Sequence, residues 1–407
     1  MGLMGAMLTG DVFNLFVFFE ILLIASYGLM IHGGGRMRLR GGVQYVVVNL
    51  AGSTLFLFAL GTIYGIFGTL NMADMAVRLG QLPEGDMALL RVAAALLVLV
   101  FLLKGGLVPL HFWMPNTYAL APAPVAALFA IMTKVGAYSV IRVYTLVFPP
   151  EAAGTGTMVA DILMPFALIT LALGAVGVLA GGTLGRVVAF SALGSMGTLF
   201  AAVAAFGPEG LAAALYYLVH STFAAAALFL VVDQLRARRG SSALVPMAPI
   251  AGGGMVAASY FAAAIAMAGM PPLSGFLGKL MVLDALRDHE HWVWIWAVVL
   301  GGSLVTVVGL ARAGSILFWK SHDATAQTAL PVPSDHEEVA GTATSGWGMA
   351  ALTLPLAAIV GLTLLAGPAY DRMQEIAAQL GDRDAYIRAV LGPEAAAPDN
   401  AAPDEDQ

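Results

Sequence analysis

The chain of 407 residues contains no cysteine and very little charge. The first absence excludes disulfides, thiolate metal sites and cysteine nucleophiles, and it removes any clue to redox compartment. Charged residues make up 11%, where a soluble domain carries about 25%, while 59% are hydrophobic and the mean hydropathy is +0.85. An all-α integral membrane protein with many spans is the class that fits. No basic segment runs into a small-residue cleavage site, so a removed signal peptide is not expected. Dinucleotide, P-loop and H-E-x-x-H patterns are absent, and no basic, aromatic-laced surface appears. Neither a cofactor, a metal nor a nucleic-acid partner is therefore expected. The net charge of −6 says little, because much of it lies in the last residues.

Lysine is scarcer still: there are four lysines against fifteen arginines. Lys104, Lys134 and Lys279 fall inside apolar runs, whereas most arginines fall between them. A desolvated lysine can release its proton, and an arginine in practice cannot. Titratable cations inside and permanent cations at the edges suit proton transfer better than static ion pairing.

What is present is a series of apolar runs that predicts ten membrane helices: 11–31, 42–70, 88–108, 122–148, 157–180, 186–206, 209–234, 252–286, 292–319 and 346–367. Gly- and Pro-rich connections punctuate them. The odd-numbered connections hold nine Lys/Arg (Arg36, Arg38, Arg40, Arg186, Arg236, Arg238, Arg239, Arg312, Lys320) and the even-numbered ones three (Arg78, Arg91, Arg287). The positive-inside bias then places both ends of the chain outside the cell. Residues 320–345 read as a flexible cytoplasmic connection. Residues 370–391 read as a short amphipathic helix, followed by an Ala/Pro/Asp/Glu-rich disordered end. Two helices are interrupted, one by Gly105, Gly106 and Pro109 after Lys104, the other by Pro271, Pro272 and Gly275 before Lys279. Such a pair in oppositely oriented halves points to a transport path.

Glu20 lies about 14 Å along its helix from Asp11, deep in the hydrocarbon, where an ionised carboxylate costs about 2.5–3.5 kcal/mol. It is expected to face protein, water or a cation, with Lys104 within direct or single-water reach; packed helix–helix glue is the alternative. Lys134 sits about twelve residues from either helix end, too far to reach the interface. Tyr138 follows it by one turn. Lys279 is either the last relay group toward the outside or simply the partner of Asp284. His220 and His111 have side chains suited to relay near neutrality, or serve as packing residues. Asp11 and Asn14 are read as helix caps.

The segments TGDVFNLFVFFEILLIASY, LLKGGLVPLHFWMPNTYALAPAPVAALFAIMTKVGAYSVIRVY and GMPPLSGFLGK together resemble the proton-translocating antiporter-like family. That family is shared by Mrp-type Na⁺/H⁺ antiporters, respiratory complex I and membrane-bound hydrogenases; the first segment is most similar to the D-type branch of the Mrp antiporters. The resemblance spans residues 1 to about 320. It implies a fold of fourteen helices in two inverted five-helix repeats, of which the ten here match the fifth to fourteenth. It also implies a relay through Glu20, Lys104, Lys134 and Lys279, with His220 where the family often has a polar group. The first repeat (about 1–150) is then incomplete at its front, as in a truncated product or a late start. The second repeat covers about 155–320, the final helix 346–367 and the tail 368–407. The expected role is a proton-conducting subunit of a cation/proton antiporter in the plasma membrane, working with other membrane subunits. The alternatives are a pumping subunit of a redox-driven complex and a structural subunit whose buried charges only guide assembly.

Overall fold

A computed structural model describes residues 1–152, 155–250, 252–320 and 346–393. The long cytoplasmic connection and the disordered end expected from the sequence lie outside the described residues. Among those described, the chain is helical with no strand beyond two isolated bridges. A short α1 (Gly2–Leu8) precedes α2 (Val12–Ile31), α3 (Arg36–Phe67), the short α4 (Met72–Arg78) and α5 (Met87–Gly105). Next come a short α6 (Trp113–Leu120), α7 (Ala123–Leu146), α8 (Met158–Ala180), α9 (Leu184–Ala204) and α10 (Pro208–Arg239). The second break separates α11 (Gly253–Ala268) from α12 (Ser274–Ala285). The chain continues through α13 (Trp292–Gly314) and one π-turn (Ser315–Trp319), then α14 (Gly346–Leu364), α15 (Ala366–Gly381) and α16 (Arg383–Leu391).

Each of the ten expected stretches holds a helix, and nine of the described helices are long and apolar enough to cross a membrane. The exception is the eighth stretch, which is two short helices instead of one. The tail helix expected over 370–391 is also two, with Asp382 between them. Its side chain accepts from Ala385 N and restarts the chain as α16. Asp11 is the N-cap of α2, accepting from Asn14 N at 2.8 Å.

Both breaks form for the same reason. Gly106 (φ +72°) and Gly269 (φ +77°) take the left-handed conformation that ends a helix, and their N–H groups close on carbonyls of the last turn. Pro109, Pro271 and Pro272 then supply no N–H with which to resume. The freed Leu103 carbonyl accepts from Trp113 Nε1 at 3.1 Å, so the first break leaves that acceptor satisfied.

The core is organised on α9, buried along most of its length, and on α10, which touches α7, α9, α11, α12, α14 and α15. Glycine permits the closest approach. A Cβ on Gly174 of α8 would fall 2.4 Å from the Gly194 backbone nitrogen of α9, and one on Gly197 would fall 2.5 Å from that of Leu171. Small residues at such crossings drive packing where lipid offers no hydrophobic contrast. Arginines tie the connections together at the two ends of the bundle. Arg38 and Arg236 donate to the Leu120 and Ala119 carbonyls, and Arg312 to that of Gly181, among the odd-numbered connections. At the other end, Arg383 of α16 donates to the Leu146 carbonyl at 2.8 Å.

Gly174→Val places its branched side chain against backbone that cannot give way. It is expected to cost more than the usual overpacking penalty of about 1–3 kcal/mol. The measure is the abundance and melting temperature of the detergent-extracted protein; values equal to the unmodified protein would show that α8 and α9 do not approach this closely.

Candidate functional site

Glu20 of α2, Ser53 of α3 and Lys104 in the last turn of α5 meet where these three helices pack. Gly52 lets Leu103 close on α3, since a Cβ there would lie 2.9 Å from the Leu103 side chain. The Ser53 hydroxyl donates to Glu20 Oε1 in a short hydrogen bond, and Lys104 Nζ donates to Ser53 Oγ at 3.4 Å. The expected neighbours are therefore joined through one hydroxyl and are not in direct contact. Lys104 is 5% exposed, and its ammonium lies 5.8 Å from the centre of the Phe19 ring, a further favourable contact for a cation. The carbonyl end of α5 adds its negative dipole.

Beyond Lys104 lies a cavity of about 20 Å³, bounded by Lys104, Asn49, Tyr45, Tyr118 and Thr133. That is room for about one water. Lys134 follows Thr133 on α7. It is wholly buried, and its Nζ has no hydrogen-bond partner among the described residues. A buried ammonium without a partner is costly, and nothing in the described protein holds its proton in place.

The second cluster gathers at the break between α11 and α12. His220 Nδ1 is 2.9 Å from Ser274 Oγ. Lys279 Nζ reaches back across the break to donate to the Ala268 carbonyl and to Ser303 Oγ of α13, both at 2.8 Å. Gly275 lies in the first turn of α12 and not in the break itself. Its role is clearance, because a Cβ there would sit 1.9 Å from the Ala266 carbonyl and 2.8 Å from His220 Nε2. The helix that carries Lys134, α7, packs against both α5, which carries Lys104, and α10, which carries His220.

The five ionisable groups thus form two clusters with Lys134 between them, and protein hydrogen bonds alone do not run continuously from one end to the other. Two of the secondary candidates point elsewhere. Tyr138 donates from its hydroxyl to the Met7 carbonyl at 2.6 Å and ties α7 to α1. Asp284 pairs with Arg287 at 3.3 Å on an exposed surface and not with Lys279. Five residues on one helix stand about 140° apart around its axis, so the two cannot share a face. His111 is half-buried after the first break, and its Nδ1 has no partner among the described residues. Ser53, Ser274 and Ser303 were invisible as site residues in the sequence. A serine in an apolar run has no spacing signal, and its hydroxyl ordinarily bonds its own helix. Among the described residues no group of acidic, histidine or cysteine side chains is arranged to hold a metal ion.

Residues 9–306 match the model of the NADH:quinone oxidoreductase/Mrp antiporter transmembrane family. The chain belongs to this family. Among similar curated proteins, the D-type subunit of a probable K(+)/H(+) antiporter from Rhizobium meliloti is 37% identical, over 93% of this chain and 73% of its own. The D-type subunit of the Na(+)/H(+) antiporter from Bacillus subtilis is 36% identical, over 96% and 76%. Among solved structures, the Mrp complex from a Dietzia species matches with a TM-score of 0.83 at 27% identity, covering 96% of this chain and 78% of the other. Respiratory complex I from Thermus thermophilus shares the fold, with a TM-score of 0.70 at 24% identity over 92% and 76%.

If Glu20, Ser53 and Lys104 act as one network, their substitutions are not additive. Glu20→Gln and Lys104→Met should each lower the melting temperature of the purified protein. The double variant should lose less than the sum by about 1–3 kcal/mol, and Ser53→Ala should remove most of that coupling. Simple additivity would mean the three groups are independent.

Proposed function

We propose that the chain is the proton-conducting membrane subunit of a multisubunit monovalent cation/proton antiporter. The observation that carries this reading is the handling of the buried charges. Glu20, Lys104, His220 and Lys279 are each held by a serine hydroxyl and not by an opposite charge. A permanent structural ion pair would instead bring carboxylate and ammonium into direct contact, and no such pair occurs among the described buried residues. The relay runs from Glu20 and Lys104 through Lys134 to His220 and Lys279, with water completing the steps that protein groups do not span. The chemistry is proton movement coupled to a cation gradient, so the chain is a transporter subunit and not a catalytic enzyme.

Other membrane subunits are its partners, as for the relatives named as antiporter subunits, and the transported ions are protons with Na⁺ or K⁺. The redox-complex alternative shares the family match and the fold, whereas the antiporter relatives are identical to this chain at more than a third of the aligned positions. The bacterial antiporter relatives support a plasma-membrane location, and the arginine distribution supports both described ends outside. Repeat boundaries near 150 and 320 fit the two breaks, one in each half.

Function should then depend on titration and not on charge alone. Lys104→Arg keeps the positive charge but cannot release its proton. In the complete complex it is expected to assemble normally and to lose most cation/proton exchange in everted membrane vesicles, as Lys104→Ala would. Near-normal exchange by the arginine variant would leave Lys104 a structural cation.

A further inference from the structure

The tail helices α15 and α16 lie beyond the family match and take no part in the relay, yet they are folded against the bundle. Helix α15 turns Tyr370, Met373, Ala377 and Leu380 inward as one helical stripe and packs on α10 and α7. Helix α16 then fastens to the last turns of α7 at two points. The Arg142 guanidinium lies 4.1 Å from the centre of the Tyr386 ring, and Arg383 donates to the Leu146 carbonyl at 2.8 Å. Between α7, α15 and α16 is a cavity of about 290 Å³.

Its walls combine three chemistries. Leu146, Ile376 and Leu380 give apolar surface, Arg142 and Arg383 give two guanidiniums, and Asp382 gives a carboxylate, with the Gln379 amide also at the border. Both arginines are half-buried, and neither forms an ion pair among the described residues. Arg383 spends one N–H on Leu146 and Arg142 is held by its ring contact, so most donors of both forks are uncommitted. One Asp382 oxygen accepts from Ala385 N at 3.0 Å, which leaves the other available.

Planar guanidinium forks recognise the paired oxygens of a phosphate. A ligand of net negative charge is nonetheless disfavoured here, because Asp382 borders the cavity and Asp384 and Glu151 stand near enough to act on Arg383. A molecule carrying a phosphodiester and, a few bonds away, a primary ammonium satisfies the forks and the carboxylate together. The apolar walls lie at the last turn of a membrane-crossing helix, where a phospholipid sets its headgroup above its acyl chains. We propose that the cavity between α7, α15 and α16 binds a zwitterionic aminophospholipid, its phosphate on Arg142 and Arg383 and its ammonium on Asp382. Bound there, the lipid pins the tail to α7. None of these residues belongs to the relay, so the site can be tested apart from the antiporter reading.

The test uses the purified, delipidated complex, with phosphatidylethanolamine, phosphatidylcholine or phosphatidylglycerol added in mixed micelles. Amide hydrogen exchange is read over residues 376–391. Phosphatidylethanolamine should slow exchange there at about tenfold lower concentration than the other two, as one charge-assisted hydrogen bond provides. Phosphatidylcholine carries the same phosphate but no N–H for Asp382, and phosphatidylglycerol carries no cation. Equal potency of the three lipids overturns the proposal, as does a stronger response to phosphatidylglycerol. Inorganic phosphate matching the effect of phosphatidylethanolamine would reveal a free-phosphate site and overturns it too.

Asp382→Asn separates recognition from folding. Asparagine caps a helix as well as aspartate does, so lipid-free exchange in α16 should be unchanged while the preference for phosphatidylethanolamine over phosphatidylcholine disappears. A preference that survives in this variant overturns the proposal. Arg142→Gln should weaken the response to every lipid about tenfold, but it also ends the contact with Tyr386. Arg142→Lys keeps a cation over that ring without the planar fork, and it should show a similar loss with the tail still docked. Full lipid affinity in Arg142→Lys overturns the phosphate assignment.

Discussion

A charge inside a membrane must be solvated by something other than bulk water, and in this chain the substitute is hydroxyl and carbonyl oxygen presented by helix surfaces and helix ends. Glu20 receives the Ser53 hydroxyl, Lys104 leans on the same oxygen, and Lys279 takes one hydroxyl and one carbonyl freed by a broken helix. A direct carboxylate–ammonium pair would solvate both ions at least as well but would hold the proton firmly. Inserting a hydroxyl weakens that grip while keeping each ion partnered. Buried charge and proton mobility become compatible through this compromise, and the positions of the helices follow from it: α3 must bring Ser53 between α2 and α5, and α13 must bring Ser303 against α12.

The two breaks serve this requirement differently. Lys104 lies ahead of its break, in the last turn of α5, and turns sideways to a neighbouring helix. Lys279 lies beyond its break, in α12, and reaches back to the stump of α11. Only the second lysine therefore couples its own position to the geometry of the break. A small change in the angle between α11 and α12 would alter the Lys279 contacts directly. A similar change near Gly106 would reach Lys104 only through the packing of α5 on α3.

Much of this was legible in the sequence because hydrocarbon makes strong demands. Ten apolar runs gave ten helical stretches, and Glu20 and Lys104, two charges in apolar surroundings, meet at one hydroxyl. The glycine and proline signals located both breaks, although Gly275 turned out to provide clearance for Ala266 and His220 and not the interruption itself. Short elements were harder to see. The helices α4 and α6 are a few turns at most, and the tail divides because Asp382 caps a new helix within a run that reads as continuous. The pairing of Lys279 with Asp284 failed on helical geometry, and Tyr138 was drawn away by the Met7 carbonyl, a contact between segments 131 residues apart.

The serines were the least legible part and the most consequential. An apolar helix tolerates serine because its hydroxyl can bond a carbonyl one turn back, and that bond is the usual reason for its presence. Ser191, Ser195 and Ser303 all make it. Yet the same bond decides what the oxygen can do next. With its proton committed to Val299 O, the Ser303 oxygen acts as an acceptor, and it takes the Lys279 ammonium. Ser53 is the instructive contrast: its proton goes to Glu20, so its oxygen links an anion on one side to a cation on the other. One residue type therefore builds two different environments. The direction of a single hydroxyl proton makes one a bridge between opposite charges and the other a rest for a single ammonium.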